Sequence, residues 1–196
     1  MSALHFCIGL ALTLVSTSIA TADSWKLDAA HSQVLFSVNH LVISEVTGSF
    51  REFDATLESA SEDFTDARIG ATLKASSIDT DNEGRDKELR ASGFFDVEKF
   101  PEIRFVGTSI QKTGSDTYAV TGLLTIRDST KAVVLDTRYK GSVKDPWGNI
   151  KAGFKATATI NRFDYGLKWN AVMETGQLVV GEAVQITLLL EFTRGE

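Results

Sequence analysis

Apolar and polar residues alternate with a period of two along most of the chain. The alternation is clearest in the segments 34–38, 69–75, 118–126, 154–160 and 184–192, where every second residue is apolar or small. Successive side chains of a β-strand point to opposite faces, so this period is typical of strands that bury one face. The pattern therefore predicts a protein built mainly of strands.

The strands are expected to pair in antiparallel order, because no helical segments alternate with them as in a parallel sheet. Turn-forming residues occupy 112–116 and 145–149, between neighbouring strand segments. About eight strands joined by short links favour a closed barrel, since closure removes exposed sheet edges. We predict an all-β fold with an antiparallel β-barrel of about eight strands, and a two-sheet sandwich is the alternative.

Small residues on the apolar faces of the predicted strands indicate space inside the barrel. A barrel of about eight strands is just wide enough to be filled by side chains or to hold one small ligand. Small inward positions beside large Phe and Leu residues favour a cavity, and a core filled by the opposite side chains is the alternative. The small positions are Ala71, Ala75, Gly122, Ala152, Ala156 and Ala158.

The segment 85–105 interrupts the strand pattern. It begins with charged helix formers at 85–90, which predict a short helical insertion near residues 82–92, and Gly93 is expected to end that helix with a positive φ. Pro101 suits the entrance of the next strand. We interpret the segment as a helical turn, an aromatic plug and a return to strand, although ordinary core phenylalanines would give the same pattern. The aromatic residues are Phe94, Phe95, Phe100 and Phe105.

The first 22 residues resemble an export signal. They contain no Asp, Glu, Lys or Arg, they carry an apolar run at 6–15, and Ala20-Thr21-Ala22 has the small-x-small pattern of a cleavage site. We predict a signal peptide over 1–22, a single mature domain over 23–196 and a periplasmic location; a short anchoring helix is the alternative. Cys7 is the only cysteine, so the predicted mature domain has no disulfide and depends on its core for stability.

Charge and motifs point away from nucleic-acid binding and catalysis. The formal net charge of −6, without a basic cluster, makes the chain a poor partner for nucleic acid. His31 and His40 are the only histidines after residue 22, and metal sites need three or four converging ligands. We therefore expect no metal, no cofactor and no catalytic residues. An enzyme that uses His31 or His40 as a base on an amphiphile is a less favoured alternative.

Six ordered motifs resemble the YceI-like family of bacterial polyisoprenoid-binding proteins. The family's opening pattern W-x-L-D-x-x-H-S-x-x-x-F-x-V-x-H is similar to residues 25–40, and the late motif INRFDYGL lies at 160–167. The similarity runs from Trp25 to about Phe192, and Asp128 departs from it where the family usually has Gly. The other motifs are VTGSFREFDATLE at 46–58, SSIDT at 76–80, the segment 85–105 and TGLLTIRDSTKAVVL at 121–135.

The resemblance implies an extended lipocalin-like antiparallel barrel whose lumen holds a long isoprenoid lipid, either an isoprenoid quinone or a polyprenyl phosphate. It also implies export to the periplasm, a homodimer and no stable membrane insertion after signal cleavage. A secreted stress or interaction protein with a filled barrel core is the alternative. The residues expected to bind the lipid are mostly apolar or aromatic: Phe36, Val38, His40, Phe50, Ile69, Leu73, Leu89, Phe94, Phe95, Phe100, Phe105, Leu124, Ile126, Phe154, Ala156 and Leu188.

Overall fold

The computed structural model describes residues 22–174 and 176–195. Within these ranges the chain forms eleven strands and one short α-helix, so the predicted all-β class is confirmed. The predicted signal peptide lies outside the described residues, apart from Ala22. The elements are β1 Asp23–Leu27, β2 Gln33–His40, β3 Ser44–Phe50, β4 Phe53–Ser59, β5 Arg68–Lys74, β6 Ile78–Asp79, α1 Glu83–Arg90, β7 Glu102–Lys112, β8 Thr117–Ile126, β9 Ser129–Lys144, β10 Ile150–Asn161 and β11 Val180–Arg194.

The sheet closes into an antiparallel barrel with eight strand positions, as predicted in place of a sandwich. Three positions each hold two short strands in succession: β1 with β2, β3 with β4, and β5 with β6. Strand β11 closes the barrel, because it pairs with β10 on one side and with both β1 and β2 on the other. A 3-10 turn at Ala29–His31 separates β1 from β2 where they share this neighbour.

The strand directions define two ends of the barrel. The loop 60–67 and the β9–β10 turn lie at one end, which we call the closed end. The β2–β3 turn, the β8–β9 turn and the segment 162–179 lie at the other end, which we call the mouth. The central segment 80–101, with α1, leaves β6 and returns to β7 on the mouth side.

Helix α1 confirms the insertion predicted near residues 82–92, but it does not end as predicted. The Asn82 side chain caps its start by accepting a hydrogen bond from the Arg85 N–H at 2.9 Å. The helix stops because Ala91 turns to an extended conformation, and Gly93 does not take a positive φ. After the helix, Asp96 takes the left-handed conformation, with a φ of 52°, and its N–H donates to the Ala91 carbonyl.

Buried and partly buried polar contacts fix α1 to the mouth end of β6. The carboxylate of Asp86 accepts hydrogen bonds from the N–H and the hydroxyl of Thr80 at 3.0 and 2.5 Å. The Arg90 guanidinium donates to the carbonyls of Ser76 and Ile78 at 2.8 and 2.5 Å. These bonds hold the following aromatic segment over the mouth.

Two of the glycines on the barrel wall make room for aromatic rings. A Cβ added at Gly122 would overlap the ring of Phe105, and one added at Gly48 would lie 2.5 Å from the ring of Phe36. The sequence pattern predicts empty space at Gly122. The structure corrects this, because the Phe105 ring fills the position.

We expect Gly122→Ala to destabilise the protein by about 1–3 kcal/mol, since overpacking forces the Phe105 ring and the backbone to shift. The measurement is the free energy of unfolding in urea. Gly93→Ala is the control, because a Cβ there meets nothing within 4 Å and Gly93 does not take a positive φ. Equal stability of the two variants would contradict this account of Gly122.

Candidate functional site

The barrel encloses an apolar cavity of about 230 Å³. Its lining includes side chains from every long strand of the barrel, and small residues Ala71, Ala156 and Ala158 lie among them. The predicted cavity is therefore present. Ala75 and Ala152 are buried outside its lining. The predicted site residues that line the cavity are Phe36, Phe50, Ile69, Leu73, Phe95, Phe105, Leu124, Ile126, Phe154, Ala156 and Leu188.

Five predicted site residues do not line this cavity. Val38 pairs with Val184 and Val46 near the mouth end of β2, and His40 ends the same strand. Leu89 packs against the core from α1. The ring of Phe94 lies 5.5 Å from that of Trp169, and the ring of Phe100 lies beneath the guanidinium of Arg127 at 5.3 Å. A strand period identifies the inward face but not the depth along the barrel axis, so it cannot separate Val38 and His40 from the wall. Leu89, Phe94 and Phe100 lie outside the strands, where this period does not apply.

The lining also contains residues that were not among the predicted ligand-binding residues. Those on β8, β10 and β11 belong to the alternating faces and carried a usable signal: Tyr118, Val120, Ala158, Ile160, Val184, Ile186, Leu190 and Phe192. Phe64, Arg162 and Leu167 come from loops and turns, where no periodicity marks them.

An aromatic cluster around Phe64 seals the closed end. The Phe64 ring lies 5.2 Å from Trp25, 5.4 Å from Tyr139 and 5.1 Å from Phe154, measured between ring centroids. Phe64 is buried although it belongs to a loop, and it has a φ of 58°. The ring pairs add packing energy to the buried area. Buried aromatic rings of the described chain therefore pack across this end of the cavity.

Asp66 organises the loop that carries Phe64. Its carboxylate accepts hydrogen bonds from the Ser59 hydroxyl at 2.6 Å and from the N–H groups of Ala60 and Ser61 at 3.0 and 3.2 Å. These bonds, led by that of Ser59, hold the pKa of the Asp66 carboxyl below its ordinary value. The charged carboxylate thus fixes the loop backbone, which brings the ring inward.

Arg162 is a buried cation at the mouth end of the cavity wall. Its guanidinium donates to the carbonyls of Gly181, Trp169 and Val180 at 2.8, 3.0 and 3.1 Å, and also to that of Leu167. Burial lowers the pKa of this guanidinium. Because carbonyl oxygens accept most of its N–H groups, Arg162 joins the segment 167–169 to the start of β11.

Two segments meet over the mouth. Phe94, from the segment after α1, contacts Trp169, and the Arg127 guanidinium donates to the carbonyls of Phe94 and Gly166 at 3.0 and 3.1 Å. Arg127, not Asp128, takes the positive φ of the β8–β9 turn, so Asp128 is accommodated without a left-handed backbone. Phe94 is half-buried and Trp169 is exposed, in contrast to the buried rings at the closed end.

Comparison with known proteins gives the family. A YceI-like domain is matched over residues 25–192. The chain belongs to the YceI-like family. It is 36% identical over 163 residues to a UPF0312 protein of Pseudomonas savastanoi pv. phaseolicola, a match that covers 82% of this chain and 85% of the relative.

Two solved structures share the YceI-like fold of this chain. BcnA from Burkholderia cenocepacia gives a TM-score of 0.74 at 21% identity over 84% of this chain and 98% of that one. A polyisoprenoid binding domain from Saccharophagus degradans gives a TM-score of 0.64 at 15% identity over 87% of this chain and 98% of that one. At these identities the comparisons establish the fold. In the described part of the chain, no helix is long and apolar enough to cross a bilayer.

The D-x-x-H-S segment of this YceI-like domain forms a charged cluster outside the cavity lining. The Asp28 carboxylate lies 2.7 Å from the Lys151 ammonium and 3.0 Å from Nδ1 of His31, and Lys151 also reaches Glu191 at 3.2 Å. One potential metal-ligand atom from each of Asp28, His31 and Glu191 lies within 4.8 Å of the other two. The Lys151 ammonium already supplies a cation to both carboxylates, so the cluster joins β10 and β11 to the turn after β1.

The cluster shifts the pKa of Asp28 to about 2 from the ordinary 3.8, first through the hydrogen bond from Lys151 and then through that from His31. A lowered carboxyl pKa contributes stability above pH 4, and that stability is lost as the pH falls from about 4 towards 2.

We expect Asp28→Asn to lower the free energy of unfolding at pH 7 by about 1–2 kcal/mol and to flatten its fall between pH 4 and pH 2. The measurement is urea unfolding across this pH range. Glu58→Gln, which removes one charge at an exposed position on β4, is the control. If Asp28→Asn leaves the acid dependence unchanged, the cluster does not stabilise the fold through charge.

Proposed function

We propose that the protein is a periplasmic binding protein that sequesters or carries a long-chain isoprenoid lipid, of the isoprenoid quinone or polyprenyl phosphate class, in its barrel lumen. The observation that carries the proposal is the apolar cavity, sealed by Phe64 at one end and covered by half-buried and exposed rings at the other. Such a cavity suits a long hydrocarbon tail with its polar end at the mouth. The structural similarity to the polyisoprenoid binding domain from Saccharophagus degradans supports this class of ligand.

The physical basis of binding is removal of the tail from water. Burial of one isoprene unit removes on the order of 100 Å² of apolar area from water, which favours binding by roughly 2.5 kcal/mol before any costs are subtracted. Loss of rotational freedom in the tail offsets about half of that. A head-group hydrogen bond contributes only about 1 kcal/mol net. We therefore expect tail length to determine affinity more than the head group does.

A binding role fits the positions of the histidines better than catalysis does. His31 lies in the exposed 3-10 turn outside the barrel, bonded to Asp28, and His40 ends β2. Neither lines the cavity that would hold a substrate. The homodimer implied by the family resemblance stays a prediction.

Titration with a graded series of ligands tests the expected dependence on tail length. With one head group and a series of prenyl tails, we expect affinity to tighten about fivefold to tenfold for each added unit until the cavity is full. Fluorescence titration of the delipidated protein measures this. Mass spectrometry of an organic extract of the purified protein should also show an isoprenoid in stoichiometric amount. Affinity that is flat with tail length but sensitive to the head group would overturn the proposal.

A cavity-filling variant tests where the tail lies. We expect Ala158→Phe to weaken binding of the longest tail at least tenfold, because Ala158 lines the cavity and a phenyl ring would occupy part of it. Thr159→Phe is the matched control, since the next residue of β10 is exposed on the outer face. Circular dichroism spectra should match for both variants. Equal binding by the two variants would place the lipid elsewhere.

The proposed location has its own test. The apolar run and the Ala20-Thr21-Ala22 site motivate cleavage before Asp23. We expect N-terminal sequencing of the exported protein to begin at Asp23. A protein that retains residues before Ala22 would contradict this.

A further inference from the structure

The turn between β2 and β3 carries apolar side chains where hairpins usually carry polar ones. Leu41, Val42 and Ile43 form it, and Val42 and Ile43 are 59% and 87% exposed. Leu41 and Val42 both take positive φ, of 53° and 66°, a conformation that hairpin turns usually assign to Asn and Gly. A β-branched residue in this conformation is an outlier, and such outliers often mark functional positions.

A second exposed apolar segment lies beside this turn. The Leu41 N–H donates to the Val179 carbonyl at 2.8 Å, and Val180 pairs with His40. In the segment that precedes Val179, an isolated β-bridge pairs Val172 with Leu178. Trp169 and Val172 of this segment are exposed. We call the five residues Leu41, Val42, Ile43, Trp169 and Val172 the tip surface.

The tip surface borders the mouth of the cavity. Arg162, which lines the cavity, donates to the carbonyls of Trp169 and Val180. The Trp169 ring contacts Phe94, whose neighbour Phe95 lines the cavity. The segments that cover the mouth therefore contact both the apolar lumen and the exposed apolar side chains.

The chemistry of the tip surface fits a lipid bilayer with zwitterionic head groups. Trp is favoured at membrane interfaces, and aliphatic side chains at a turn can enter the head-group region. The exposed charges beside it, Glu45, Lys168 and Glu174, have both signs, and the chain carries a net charge of −6. Without a basic cluster, attraction to anionic lipid is not expected.

We propose that the tip surface docks on the surface of a zwitterionic bilayer, so that a lipid passes between the bilayer and the barrel lumen without crossing water. This inference rests on the proposed lipid-binding function and adds the partner surface through which the ligand enters and leaves. The Phe94 and Trp169 contact lies where that passage would open.

The experiment compares two double variants of the mature chain. Val42→Ser with Ile43→Ser alters the tip surface. Val143→Ser with Trp147→Ser is the matched control, because these residues are 64% and 84% exposed near the β9–β10 turn at the closed end. The readouts are flotation with phosphatidylcholine vesicles, the rate of transfer of a fluorescent prenyl lipid between vesicles, and titration of the same probe without vesicles.

We expect the wild type and the control to float with vesicles, and their transfer rate to rise with vesicle concentration, as in transfer by collision. The tip variant should lose about tenfold in both vesicle readouts, while its affinity for the probe without vesicles stays unchanged. Binding of the probe by a wild type that neither floats nor transfers by collision would overturn docking and leave the proposed function intact. Failure of the wild type to bind the probe would overturn the proposed function itself.

Two further outcomes would assign the tip surface to another role. An equal loss in the closed-end control would show general adsorption of exposed apolar residues and would overturn the proposal. A change of oligomeric state in the tip variant, measured by sedimentation without vesicles and unaccompanied by a loss of flotation, would identify a second copy of the chain as the partner and would also overturn it.

Discussion

Closure of the barrel by β11 is the constraint on which the rest of the structure depends. This strand pairs with β10 along one edge and with two successive short strands, β1 and β2, along the other. At the break between them the Ser32 hydroxyl accepts from the Glu191 N–H at 3.0 Å, and the Asp28 N–H donates to the Glu191 carbonyl at 2.8 Å. Buried or partly buried backbone groups that a continuous ladder would pair are thus satisfied across the break.

The same closure creates the lumen and decides its chemistry. Alternation along the strands sends apolar side chains inward, and a cavity with few polar partners on its wall is unfavourable for water. Rings fill the space unevenly: Phe105 lies over Gly122 and Phe36 over Gly48, while Ala156 and Ala158 leave their side of β10 open. The remaining space is therefore shaped for hydrocarbon.

The two ends of the barrel differ in how they are packed, and this difference gives the cavity a direction. At the closed end Phe64 is buried among three aromatic rings and its loop is fixed by the charged carboxylate of Asp66. At the mouth the covering contact joins a half-buried Phe94 to an exposed Trp169. Fewer buried contacts lower the free energy of local opening, so we expect the mouth to open more readily than the closed end.

The sequence by itself predicted the strand-rich barrel, the helical insertion and part of the cavity wall. A period of two identifies strands and their inward faces, which is why residues such as Phe36, Leu124 and Leu188 lie on the lumen as predicted. The run of charged helix formers at 85–90 identified α1. Sequence periodicity carries no information about height along the barrel axis, so it does not distinguish Val38 from the wall residues deeper in the barrel. Tertiary structure alone decided the aromatic cluster around Phe64, the burial of Arg162 and the contact of Phe94 with Trp169. Each depends on segments far apart in the chain that barrel closure brings together.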